Sequence, residues 1–226
     1  VIEVDKVNHA YDERRVLRDV QVTLTERRVA VIGANGSGKS TFARLLNGLV
    51  VPDDGEVRVN GLSTRTDGAA VRRQVGFVFT DPDAQIVMPT VAEDVAFSLR
   101  RRKLSRDDTA RLVAEHLDTF GLGGHADHPA HLLSGGQKQL LALCSILVTQ
   151  PQVLVCDEPT TLLDLANSRR ITELLAGLSQ QIVLVTHDLD AVLSYERVLV
   201  FADGTIVYDG PPADAVKQYR MMITGT

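Results

Sequence analysis

Apolar and polar residues nearly alternate along the first part of the chain. VIEVDKVNHAY (1–11) and VLRDVQVTL (16–24) read as antiparallel strands with one face buried. VPDDGEVRVNG (51–61) continues the β region, with turn signals at Asp54-Gly55 and Asn60-Gly61. RRVAVIG (27–33) is almost continuously apolar, as a strand covered on both faces would be. KSTFARLLNGL then predicts a helix stopped near Gly48, and QVGFVF (74–79) a further strand. From Val91 to Val148 the period changes. VAEDVAFSL and DDTARLVAEHLDTF carry apolar residues at three- and four-residue spacing, the mark of amphipathic helices. QVLVCDEP (152–159), QIVLVTHD (181–188) and RVLVF (197–201) return to short apolar runs and predict parallel strands with helices between them. FADGTIVYDGPPADAVKQY closes the pattern with a hairpin turning at Asp203-Gly204 and a last helix. The fold class is α/β: a parallel core, an antiparallel β edge and an inserted helical lobe.

Composition narrows the picture little. The 226 residues suit one large domain, and 44% hydrophobic content supports a full core. A formal charge of -5 gives no reason to expect nucleic acid as a partner. Cys144 and Cys156 lie inside apolar runs and read as reduced core residues. No stretch reads as a signal peptide. The longest apolar run, LLALCSILV (140–148), is well short of the roughly 20 residues that span a bilayer, so a membrane role needs partners.

The candidate chemistry begins at GANGSGKS (33–40), which fits G-x-x-x-x-G-K-[ST] between a strand and a helix. Gly33, Gly36 and Gly38 permit backbone angles that turn successive N–H groups onto an anion, and the helix N-terminus adds its positive dipole end. Lys39 is placed to reach the β- and γ-phosphates, and the Ser40 hydroxyl to ligate Mg²⁺. This stretch resembles the phosphate loop of P-loop NTPases, which implies a RecA-like parallel sheet. In VLVCDEP (153–159), Asp157 and Glu158 stand at the carboxyl end of a strand, where ligands of open α/β sheets collect. Asp157 can hold Mg²⁺ through water, and Glu158 is the candidate base for an attacking water. In LSGGQ (133–137), Ser134 and Gln137 form a capping-box pattern at a second helix start that also suits phosphate.

Taken together, GANGSGKST, LSGGQ, VLVCDEPT and VTHD, in this order and spacing, resemble the nucleotide-binding subunit of an ATP-binding cassette (ABC) transporter over essentially the whole chain. The resemblance implies a single domain over 1–226. Residues 1–80 and 146–226 would form the β edge and core, and 81–145 the helical subdomain bearing the signature motif. It implies a head-to-tail dimer holding two ATP molecules. Gly33, Asn35, Gly36, Ser37, Gly38, Lys39, Ser40 and Thr41 would bind nucleotide from one subunit. Ser134, Gly135, Gly136 and Gln137 would bind it from the other. His187 would be the switch histidine at the γ-phosphate, acting with Glu158 and Lys39 in catalysis. Asp164, in TLLD (161–164), would lie at the subunit contact, and Tyr11 would stack on adenine. One position departs: the family's usual Gln after the strand VGFVF is Thr80 here, with Gln85 five residues later. The Thr80 hydroxyl is a shorter metal-ligand candidate beside Ser40 and Asp157, so hydrolysis is expected to persist while coupling geometry differs.

DPDAQIVMPTVAEDVAFSL (81–99) resembles the ATPases of energy-coupling factor (ECF) importers. That resemblance implies a groove gripping helices of a transmembrane T-component, with Glu93 or Asp94 facing a partner Arg, and a substrate-binding membrane subunit. The QIVMPTV variant favours biotin as cargo, with cobalt or nickel next. A peripheral position on the cytoplasmic face of the membrane follows. All motifs but Thr80 are intact, which favours a homodimer and leaves a heterodimer open. A conventional ABC transporter ATPase is the nearest alternative. A soluble cassette acting on DNA or ribosomes is the other, but the middle lobe lacks sustained heptads and there is one cassette copy. His125, His128 and His131 are interrupted by Pro129 and read as a polar loop, and RRRK (100–103) as a solvated helix end.

Overall fold

The computed structural model describes residues 1–224, which form two compact units. The first comprises 1–75, 152–158 and 179–226 within those described residues. The second comprises 76–151 and 159–178. The second therefore includes, besides 81–145, the short flanks 76–80 and 146–151 and the helical segment 159–178.

In the first unit, β1 (Ile2–Tyr11) pairs antiparallel with β2 (Arg14–Leu24). Alternation places Ile2, Val4 and Val7 inside, and the phase slip between Val4 and Val7 is a bulge with Lys6 in the left-handed region at φ 46°. β4 (Asp54–Val59) pairs with the other edge of β1, and β5 (Leu62–Ser63) with β4, giving the order β2-β1-β4-β5. The structure corrects one turn. Asn60-Gly61, at φ 50° and 79°, does turn the chain from β4 into β5. Asp54-Gly55 instead lies within β4, opposite the β1 irregularity. Gly55 has φ 81°, and a Cβ there would come within 2.5 Å of the Asp5 and Lys6 carbonyl oxygens. The glycine answers a close backbone approach, a signal a turn dipeptide mimics.

The core sheet of this unit runs β10-β9-β3-β8-β7. Its strands are β3 (Arg28–Gly33), β7 (Val153–Asp157), β8 (Gln181–Val185), β9 (Arg197–Ala202) and β10 (Thr205–Gly210). β3, β7, β8 and β9 are parallel, and β10 returns antiparallel on β9 through Asp203-Gly204. Nearly every residue of β3, β7 and β8 is buried, which explains their unbroken apolar sequence. α1 (Lys39–Leu46) follows β3, α2 (Gly68–Gln74) follows β5, and α7 (Pro212–Thr224) packs Ala215 and Val216 onto Ala30, Ile32, Val198 and Val200. Between β8 and β9 the chain makes only a 3₁₀ turn, Ala191–Ser194, where a helix was expected. α2 and β5 were not expected at all. Val71 is the only buried residue of α2, so no apolar stripe announces it.

The second unit opens at Gly76, within β6 (Val75–Val78), and continues through α3 (Val91–Leu99), α4 (Arg106–Thr119), α5 (Gly135–Leu147) and α6 (Leu165–Gly177). α3, α4, α5 and α6 each begin at a side-chain cap: Thr90, Ser105, Ser134 and Asp164. Cys144 on α5 and Cys156 on β7 are buried free thiols, as expected, and burial pushes Cys144 up to about 12. No helix among the described residues is long and apolar enough to cross a membrane.

Candidate functional site

Three parallel strands deliver chemistry to one edge of the core sheet. Register aligns Gly33 at the end of β3 with Phe201 of β9, and Asp157 at the end of β7 with Val185 of β8. The loop 34–38 follows Gly33 and ends at Gly38, the N-cap of α1. Gly33 has φ 149°, and a Cβ there would collide with the Phe201 carbonyl; Gly38 has φ 105° and lies against Leu17 and the Val16 carbonyl. Both places forbid a side chain, and the loop is pinned by Ser37 N–H donating to Ala34 O at 3.2 Å and Gly204 N–H to Ser37 O at 3.1 Å.

Lys39 is 5% exposed and its Nζ donates to the carbonyls of Gly33 and Ala34 at 2.8 and 2.9 Å. Burial lowers its pKa, while Glu158 and then Asp157 pull it back up. Ser40 Oγ donates to Asp157 Oδ1 at 2.9 Å. Burial raises the pKa of Asp157 above the ordinary carboxylate value, opposed by the Ser40 hydrogen bond and by Arg44 and Lys39. A hydroxyl and a carboxylate at this separation are the hard oxygen donors that Mg²⁺ takes. Glu158 stands beyond the strand end at φ 50°, with its N–H donating to Val185 O at 2.9 Å. A left-handed backbone costs a residue with a Cβ about 1–2 kcal/mol, and such strain collects at functional sites. His187 Nδ1 is 3.4 Å from Glu158 Oε2, on a side chain 61% exposed.

These parts border a cavity of about 380 Å³. Tyr11, Asn35, Gly36, Lys39, Thr41 and Glu158 line it, with Gly38 and Ser40. Tyr11 is 44% exposed, with its ring edge-on to His9 at 4.8 Å. Gly33, Ser37, Asp157 and His187 lie around this set without lining the cavity. Arg14 and Val16 do line it and were missed. The signal was present: Arg14 pairs directly with Tyr11 across the two-residue turn Asp12-Glu13, so one strand end predicts the other.

The remaining motif residues belong to the second unit. Ser134 caps α5: its Oγ accepts from Gln137 N–H at 3.3 Å while its own N–H donates to Gln137 Oε1 at 2.9 Å, the reciprocal box read from the sequence. Gly135 has open space, its nearest neighbour being Leu163 at 3.9 Å from a notional Cβ. Gly136 has none, because the Asn167 amide would meet that Cβ. Asp164 caps α6 through Asn167 N–H at 2.8 Å and also accepts from Asn167 Nδ2 at 3.0 Å. Thr80 follows Phe79, whose N–H donates to Gln85 Oε1 at 3.3 Å; Gln85 Nε2 donates in turn to Ala142 O. Gln85 is thus occupied by backbone within this unit. Asp94 is occupied as well. It is 4% exposed, accepts from Val87 and Met88 N–H at 2.9 and 3.1 Å, and from Ser145 Oγ at 2.8 Å. Of the two acids proposed to meet a partner Arg, only Glu93 is exposed. Among the described residues no group of His, Cys, Asp and Glu forms a metal cluster, and His125 instead contacts Gln137 Nε2.

Known proteins resemble the chain along nearly its whole length. The ABC transporter family model matches residues 17–161. A Deinococcus radiodurans protein, provisionally named an ABC transporter ATP-binding protein, is 53% identical over 99% of both chains. The biotin transport ATP-binding protein BioM of Rhizobium etli is 44% identical over 97% of both. The dimeric post-hydrolysis ATP-binding cassette MJ0796, bound to ADP and Pi, superposes with a TM-score of 0.84 at 28% identity, covering 94% of this chain and 99% of that one. With the strand-edge phosphate loop, the paired acids and the glycine signature in place, the chain belongs to the ABC transporter family as an ATP-binding, ATP-hydrolysing subunit.

Proposed function

We propose that the chain powers an ECF-type importer whose cargo is biotin. The observation that carries this reading is the end-to-end likeness to a biotin transport ATP-binding protein. The segment 81–99, within that match, resembles ECF importer ATPases and fits the same reading. The cavity takes ATP: Tyr11 meets adenine, the loop 33–41 and the α1 N-terminus hold the phosphates, and Lys39 leaves its carbonyl contacts for the β- and γ-oxygens. Ser40 and Asp157 hold Mg²⁺, which supplies charge neutralisation on the phosphates, with Thr80 as a further candidate ligand. Glu158 takes the proton of the water that attacks the γ-phosphorus, ADP leaves, and His187 stabilises the transferring phosphoryl group. Ser134, Gly135, Gly136 and Gln137 of a second copy close over the γ-phosphate, with Asp164 at the subunit contact. The complete motif set favours a homodimer, seated on a T-component and a biotin-binding membrane subunit at the cytoplasmic face.

The test is reconstitution with those two membrane subunits in proteoliposomes. Biotin-dependent ATP hydrolysis is expected. Glu158→Gln should lower the hydrolysis rate by about 10²–10⁴-fold while retaining ATP. Stimulation by a cobalt- or nickel-binding subunit instead would overturn the cargo. Hydrolysis stimulated only by DNA or ribosomes would overturn transport. A Glu158→Gln protein hydrolysing at the unaltered rate would remove the base assignment.

A further inference from the structure

We infer that Arg14 is a second phosphate-binding cation of the nucleotide cavity, acting beside Lys39; this rests on the ATP-binding reading of that cavity. Arg14 begins β2 directly opposite Tyr11, the last residue of β1. Directly paired residues of antiparallel strands point to the same face. The aromatic ring and the guanidinium therefore leave the hairpin together, and both line the cavity. The guanidinium lies over the phosphate loop: a Cβ on Gly36 would be 3.4 Å from Arg14 Nη2. Gly36, at φ 78°, belongs to the run of backbone that faces an anion.

No hydrogen bond or ion pair ties the Arg14 side chain to any described residue, and it is exposed. Four other arginines show the contrast. Arg58, Arg111, Arg169 and Arg197 all hold carboxylates. An unengaged guanidinium above a phosphate loop has a natural ligand in the polyphosphate chain, which its planar fork can grip bidentately. The geometry divides the work. Tyr11 is the base-side neighbour, Arg14 bridges from it to the loop at Gly36, and Lys39 serves the far end of the chain.

The experiment is a titration of the full chain with a ribose-labelled fluorescent ATP, displaced by MgATP, MgADP or adenosine. The variants are Arg14→Ala, Arg14→Lys and Lys39→Ala. A charge-assisted contact implies about tenfold weaker ATP and ADP binding for Arg14→Ala, with adenosine changed less than about twofold and partial recovery in Arg14→Lys. An ATP affinity of Arg14→Ala within twofold of the parent overturns the proposal. So does an equal loss for adenosine, which would place the side chain on the base. Lys39→Ala separates the two levels: if it binds ATP like the parent, the cavity itself is misread and the Arg14 role falls with it. If Lys39→Ala loses ATP while Arg14→Ala keeps it, the cavity stands and only the Arg14 inference fails.

Discussion

Asp157 is held in a place that disfavours its charge. It is 3% exposed, and burial outweighs its Ser40 hydrogen bond and the nearby cations, so its folded pKa lies above the ordinary 3.8. The folded state then binds this proton more readily than the unfolded one. The stability gained from that proton is complete below 3.8 and is lost as pH rises through the folded value. Asp157→Asn removes the penalty at neutral pH and keeps an oxygen for Ser40. The variant is expected to gain on the order of 1 kcal/mol, about 2–4 °C in a chain of this length. The gain should narrow as pH falls toward 3.8, and hydrolysis should be lost. Urea midpoints from pH 8 down to 4 measure it; an advantage that grows toward acid would refute the cause. Such residues were legible because their chemistry is local: GANGSGKS and CDEP carry loop, cation and acids within a few positions. Arg14 was overlooked although the two-residue turn sets it opposite Tyr11, because it lies outside every phosphate motif of the sequence. Asp94 was misjudged for another reason. A first-turn acid reads as a solvated group, and only the fold reveals Val87, Met88 and Ser145 around it.

Among the elements, caps and periods were readable and close approaches were not. LSGGQ announces its box, yet the sequence does not say that its two glycines do different things. Gly135 leaves the α5 N-terminus open, whereas Gly136 makes room for Asn167, which Asp164 holds from the α6 cap. Gly136→Ala would drive the Asn167 amide off Asp164. Overpacking of this kind costs about 1–3 kcal/mol. The prediction is a lowered melting temperature for Gly136→Ala, restored for the most part in Gly136→Ala/Asn167→Ala. A double-mutant cycle measures it, and additive losses would show that the two residues do not meet. The same limit explains Asp54-Gly55, where a glycine required by the Asp5 and Lys6 carbonyls imitates a turn. It also explains α2, whose single buried Val71 leaves no period to detect.

For the whole molecule, the sequence disclosed an α/β core with an inserted helical region, since apolar runs and helical periods occupy separate stretches. Which short segments join which compact unit was not disclosed, because 159–178 lies far along the chain from the helices it accompanies. That segment also carries the surface feature most relevant to assembly. Leu162 and Leu165 are 64% and 87% exposed on either side of Asp164. Large apolar side chains this open, flanking a residue assigned to the subunit contact, fit a face that a second copy covers. Burying them contributes roughly 1.5–3 kcal/mol each. In the Glu158→Gln background, where closure on ATP is not relieved by hydrolysis, MgATP should convert monomer to dimer in size-exclusion light scattering. Adding Leu165→Asp should leave fluorescent ATP binding within about twofold and return the protein to monomer at the same concentration, since each lost 1.4 kcal/mol weakens association about tenfold. Retention of an ATP-dependent dimer in that double variant would place the contact elsewhere. Loss of ATP binding along with dimerisation would mean that Leu165 supports the fold rather than the interface.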